Sequence, residues 1–167
     1  ATTRNIAGKL NIKEPSLYRH FTNKEAIFEG MCAMIEGFYE EMGEEIAGKE
    51  GTPLALIEEG YRLRSKVFGE NPDLACVLLN AEIVFQAYPP LFERMQEVQK
   101  RDYEELLKAV QKSQNAGELR KDIRADSITA IIGGAFAVII NGYWKRYEKV
   151  IEETSKLWDD IKKVISK

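Results

Sequence analysis

The side chains best suited to hold a polyanion crowd into the first two dozen residues. Lys13, Arg19 and Lys24 bring positive charge, Thr3, Ser16 and Tyr18 bring hydroxyls, and His20 brings an imidazole. Five of the 24 Lys and Arg residues lie between Ala1 and Lys24, but only one of the 27 acids, Glu14. That leaves the first 24 residues at +4 and the remaining 143 at −7. A polyanion is drawn to one end of such a chain and repelled by the rest, which makes duplex DNA the first candidate partner.

These groups need a scaffold, and the local signals supply one. Thr2 or Thr3 can cap a short helix running through Leu10, and Asn11 suits the turn that follows. A second short helix is expected from about Lys13 to His20, with Pro15 in its first turn, where a missing N–H costs little. Two short helices joined by a turn of three or four residues make a helix-turn-helix. Its second helix enters the major groove with its early residues toward the bases. Lys13, Glu14, Pro15, Ser16 and Arg19 would face base edges, while Thr3, Tyr18, His20 and Lys24 would hold phosphates. Lys24 also stands near a helix N-terminus, whose backbone donors favour anions. Ile6, Ala7, Leu10, Ile12, Leu17 and Phe21 are left as core. The same geometry occurs in bundles that touch no DNA, so charge and periodicity alone leave both readings open.

Beyond the tip, helical periodicity runs almost everywhere and strand signals are scarce. The expected fold is all-α, with about nine elements. A helix capped by Thr22 or Asn23 carries Ile27, Met31, Met34, Ile35, Phe38, Met42 and Ile46 on one stripe, with Glu40, Glu41, Glu44 and Glu45 opposite. Thr52-Pro53 opens the next helix, and Asn71-Pro72 breaks it. Further helices are expected over about 74–88, 90–115, 126–147 and 150–165. Ala116-Gly117 would close the helix over 90–115 with a glycine cap. The domains would then be 1–47, reading DNA and including the connecting helix, and 52–167.

Composition is ordinary for a soluble globular protein, with 44 % apolar and 31 % charged residues. Cys32 and Cys76 match no metal or redox spacing and are read as buried thiols. The apolar run Ile128–Ile140 would rise only about 20 Å as a helix, short of a bilayer near 30 Å, so no membrane span is expected. His20 is the one histidine and stands apart from any nucleophile or carboxylate cluster. With no glycine-rich phosphate loop and no metal spacing, an enzyme is not expected and no cofactor is assigned.

Candidate ligand contacts lie in the middle helices. Tyr61, Phe68, Phe85, Tyr88, Met95 and Tyr103 fall on inward stripes and suit an apolar or aromatic ligand, or plain core packing. Arg64 lies on the same stripe as Tyr61 and Phe68, where a cation needs compensation. It pairs with an acid such as Glu82 or Asp102, snorkels outward, or meets a ligand carboxylate. Asn80 and Glu82 are further polar candidates. The helix around 128–144 is apolar nearly all round, and Gly133, Gly134 and Ala137 would let a second helix come close. With the stripe of Trp158 and Ile161 it would make a two-fold, four-helix interface between two copies of the chain.

The run Thr2-x-x-x-Ile6-Ala7, Leu10-Asn11-Ile12, Ser16-Leu17-Tyr18-Arg19-His20-Phe21 and Asn23-Lys24-Glu25-Ala26-Ile27 resembles the helix-turn-helix signature of the tetracycline-repressor (TetR) family. Ala116-Gly117-Glu118-Leu119-Arg120-Lys121-Asp122-Ile123 resembles that family's link into its dimerisation helices. The resemblance implies a cytoplasmic homodimeric transcription regulator, usually a repressor, that binds a palindromic DNA operator and is released by a small-molecule effector. A helical module that binds ligand or protein without reading DNA is the alternative. Asn11 replaces the family's usual turn glycine, and Pro15 stands where a glycine is common. The family's first helix has no counterpart here, so roughly 20–30 residues are expected before Ala1 to cover the small core.

Overall fold

The computed structural model describes residues 13–71, 74, 77–78, 80–143 and 150–167. The expected first helix with Thr3, the core positions Ile6 to Ile12, and Cys76 lie outside the described residues. Among the described residues the regular elements are all α-helices, apart from an isolated antiparallel bridge between Leu119 and Ser166.

The elements are α1 (Glu14–Leu17), α2 (Lys24–Ala47), α3 (Pro53–Glu70), α4 (Ala81–Phe85), α5 (Pro89–Asn115), α6 (Ala125–Tyr143) and α7 (Val150–Ile165). α1 is a single turn that continues as turns through Tyr18–His20, shorter than the periodicity suggests. α4 stops at Phe85 rather than Tyr88, because the Pro89-Pro90 pair already starts α5.

The helix ends follow local chemistry. Asn23 caps α2, its Oδ1 accepting from the Ala26 N–H at 2.8 Å. Thr52 caps α3, its Oγ1 accepting from the Ala55 N–H at 3.3 Å, with Pro53 in the first turn. α5 closes in a Schellman motif. The Gly117 N–H donates to Gln114 O at 3.1 Å and the Glu118 N–H to Ser113 O at 3.0 Å. This turn needs Gly117 at φ 79°. The Glu118 carboxylate then accepts from the Leu54 N–H at 3.0 Å and the Ser113 hydroxyl at 3.1 Å. It thereby pins the start of α3 to the end of α5, and hydrogen bonding from the Thr52 side chain first, then from Leu54 and Ser113, holds its carboxyl below the usual range against the opposing effect of burial.

Packing runs through α5, which touches α2, α3, α4 and α6, while α7 lies against α3 and α6. α2 and α3 form an antiparallel pair, with Phe38 beside Phe68 and Ile46 beside Gly60. α2 and α5 run parallel, through Phe28 beside Tyr88, Cys32 Sγ near Leu91 O, and Glu36 bonded to Arg94. Phe85, Met95, Val110, Ile128 and Ile165 are fully buried in one continuous core. A fully buried side chain of this size contributes about 1.5–3 kcal/mol. Met34, expected on the inward stripe of α2, is 57 % exposed instead.

Candidate nucleic-acid interface and ligand cavity

α1 and the turn after it present Lys13, Pro15, Tyr18, Arg19 and His20 to solvent, with Ser16 half-buried. Arg19 Nη2 donates to Ser16 Oγ at 2.9 Å, which draws the guanidinium across the short helix. Phe21 seats the tip on α2, where the missing side chain of Gly30 makes room: a Cβ there would lie 3.3 Å from Phe21 Cε1. Lys24 opens α2 with its ammonium 5.7 Å from the Phe28 ring centroid, so the cation is half-buried over an aromatic face. The side chain of Glu14 and all of Thr3 lie outside the described residues. The remaining DNA-facing candidates thus share one exposed, cationic end.

The other feature is a cavity of about 760 Å³ between α2, α3, α5 and α6. Its apolar wall includes Met42, Ile46, Leu56, Ile57, Val98, Leu106, Ala109 and Ile132. Its polar interior is small. Arg64 Nη2 on α3 donates to Asp102 Oδ1 on α5, and the guanidinium lies 5.7 Å from the Tyr39 ring centroid. Burial works against the charged guanidinium, but Asp102 and Tyr39 outweigh it, so the pKa of Arg64 is raised. Burial likewise pushes the Tyr61 hydroxyl up to about 12, so it stays a neutral phenol across the physiological range. Exposed Glu40 and Glu44 on α2, with Arg101, Glu105, Lys108 and Lys112 on α5, mark the mouth.

Of the ligand residues expected from sequence, only Tyr61 and Arg64 line this cavity. Phe68, Phe85 and Met95 are buried in the core instead. Tyr88 packs on Phe28, Tyr103 is 42 % exposed on the outer face of α5, and Asn80 sits just ahead of α4. All six lie off the lining: for Phe68, Phe85, Met95 and Tyr88 the reason is that inward periodicity marks every buried face of a bundle, whichever face borders a hollow. Arg64 is bonded to Asp102, one of the acids offered as examples beside an outward snorkel and a ligand carboxylate, while Glu82 is exposed. The lining residues that periodicity left unmarked, Met42 and Ile46 among them, stand on stripes indistinguishable from core. The mouth did leave a trace, since positions 101, 105, 108 and 112 repeat at helical spacing on one face of α5.

Among the dimer candidates, Gly134 is exposed while Gly133 and Ala137 are half-buried. A Cβ on either glycine would meet nothing within 4 Å, and Gly133 also borders the cavity. Ile131 beside them is 39 % exposed. Trp158 and Ile161 correct the sequence reading: they are 3 % and 5 % exposed within a single protomer. The Trp158 ring lies 4.9 Å from that of Tyr61, so this face of α7 is spent on α3 rather than on a second chain.

A cationic tip leads straight into a helix that walls an apolar cavity, in an all-α fold that is the fold of TetR-family transcription regulators. Residues 1–31 match the family model of bacterial regulatory proteins of the tetR family. The chain is 27 % identical over 146 residues to the nucleoid occlusion factor SlmA of Marinomonas sp. (strain MWYL1), spanning 87 % of this chain and 72 % of that protein. Its fold matches that of the ketosteroid transcriptional regulator KstR2 of Mycobacterium tuberculosis at a TM-score of 0.83 and 18 % identity, over 100 % of this chain and 85 % of that one. It also matches the transcriptional regulator FadR of Bacillus subtilis, solved in complex with stearoyl-CoA, at a TM-score of 0.71 and 16 % identity, over 96 % of this chain and 87 % of that one. Among the described residues no helix is long and apolar enough to cross a membrane, and no group of three or more His, Cys, Asp or Glu is placed to hold a metal.

Proposed function

We propose that this chain is a ligand-responsive, cytoplasmic transcription regulator, a repressor in its usual mode. As a homodimer it binds a palindromic DNA operator through residues 1–47. It releases that operator when an apolar or amphipathic small molecule occupies the cavity of its 52–167 domain. One observation carries the reading: α2 starts at the cationic tip and ends as a wall of the cavity. A ligand that prefers one position of that wall must bias the tip, because a helix moves as a unit. The regulator of similar fold solved with stearoyl-CoA supports an amphipathic effector. The open, apolar surface around Ile131 and Gly134 supports pairing through α6.

The test is fluorescence anisotropy of the full-length protein on duplex DNA from its own upstream region. Affinity should fall steeply with salt, by about 0.9 in log–log slope for each phosphate contacted. Replacing Lys24 by Ala should flatten that slope by about one contact, whereas replacing Arg19 by Ala should weaken binding mainly to the operator sequence. Ligand binding without any DNA binding would favour the alternative, a helical module that does not read DNA.

A further inference from the structure

The mouth of the cavity carries a charge pattern that the regulator reading leaves unused. Inside, the cation is already answered: Arg64 is bonded to Asp102, so the interior pair is close to neutral. At the mouth, Arg101, Lys108 and Lys112 make no ion pair among the described residues. They lie on one face of α5 over about 16 Å, interrupted only by Glu105. The opposite edge, on α2, is acidic through Glu40 and Glu44. α2 and α5 are fastened side by side as far as Glu36 and Arg94, whose bidentate bonds measure 3.1 and 2.6 Å, and the cavity lies between the stretches beyond.

We propose that this mouth reads an anionic head group: the phosphate-bearing end of an amphipathic ligand rests on Arg101, Lys108 and Lys112 while its apolar part fills the cavity. The inference rests on the ligand-binding reading above and adds the chemistry of the ligand and the origin of its leverage. A carboxylate could engage one of these cations. A multiply charged phosphate, a dianion near neutral pH, can engage more than one. The head is attracted to α5 and repelled by Glu40 and Glu44, so it favours the state in which the far half of α2 stands away from α5. That preference is the differential interaction a switch requires. Because α2 is held at Glu36–Arg94, displacing residues 40–47 turns the helix about that pair and is carried to its Lys24 end.

Calorimetric titration of the full-length protein with decyl phosphate, decanol and inorganic phosphate, the amphiphiles below their micellar concentrations, tests this. Decyl phosphate should bind about tenfold tighter than decanol at low salt, and the gap should narrow as salt rises. In the R101Q/K108Q/K112Q variant the gap should close, with decanol affinity held to within about twofold. In E40Q/E44Q, decyl phosphate should bind more tightly yet release DNA less effectively. A gap that survives the triple substitution overturns the proposal, and so does an equal loss for both amphiphiles. Inorganic phosphate binding as tightly as decyl phosphate would make the mouth a free-phosphate site and overturn it too. If decanol binds and the head group makes no difference, this inference fails while the cavity reading stands. If neither amphiphile binds, both fall.

Discussion

The two halves of α2 share one helical repeat and have opposite surroundings. From Lys24 to Glu36 the helix buries Ile27, Phe28, Cys32 and Ile35 and is tied to α5 by the Arg94 ion pair. From Tyr39 to Ala47 it has no fully buried residue, and Tyr39, Met42 and Ile46 border open space. The first half pays its ordering cost with dense packing, whereas the second is held mainly at its far end, where Lys49, just past the helix, bonds Glu59 of α3. A stripe of apolar side chains therefore says that a face is covered, but not whether the cover is solid. Close packing holds the first half against its neighbours more firmly than the wall lining the hollow is held, so a ligand acts on the helix first through that wall.

The sharpest way to break this contrast is to truncate one side chain in each half. Phe28→Ala should destabilise the fold by about 3–5 kcal/mol, and Met42→Ala by less than about 1 kcal/mol, both read from urea midpoints. Equal losses would mean that the two halves are packed alike. A smaller effect is expected where the cavity interior meets α5. Asp102→Ala should cost about 1–2 kcal/mol, since it removes the carboxylate that answers a half-buried guanidinium at 18 % side-chain exposure. Joint replacement by Arg64→Met and Asp102→Leu should recover most of that loss. A double variant as unstable as the single one would show that the pair is valued for more than charge compensation.

The smallest effect is a pH dependence at the far end of α2. Hydrogen bonds from Arg62 and then Lys49 hold the Glu59 carboxyl down at about 2, against 4.5 for an ordinary glutamate. Between those values the unfolded chain binds the proton more readily, so stability falls as pH drops through this window and is fully present above it. Glu59→Gln should flatten the stability profile between about pH 4.5 and pH 2 and leave the neutral-pH cavity unchanged. An unaltered acid slope in the variant would place the acid-sensitive contact elsewhere, with Glu118 the next carboxylate to examine.

Local chemistry alone determined the helical fold class, a cap at Thr22 or Asn23, the cap at Thr52, the glycine stop at Gly117 and the cationic tip. Each of these depends on a residue's own backbone preferences or on neighbours within a turn or two, which the order of residues states directly. Sequence left Arg64 an acid such as Glu82 or Asp102, an outward snorkel or a ligand carboxylate, because none of these can be chosen until the helices are placed. Tertiary structure alone decided that Phe68, Phe85 and Met95 fill the core while Met42, Ile46 and Leu106 line the hollow. It alone turned Trp158 inward onto Tyr61. Hydrophobic burial is non-directional, so apolar periodicity records that a face leaves water, and the angle at which distant helices meet decides whether that face finds a close neighbour or a cavity.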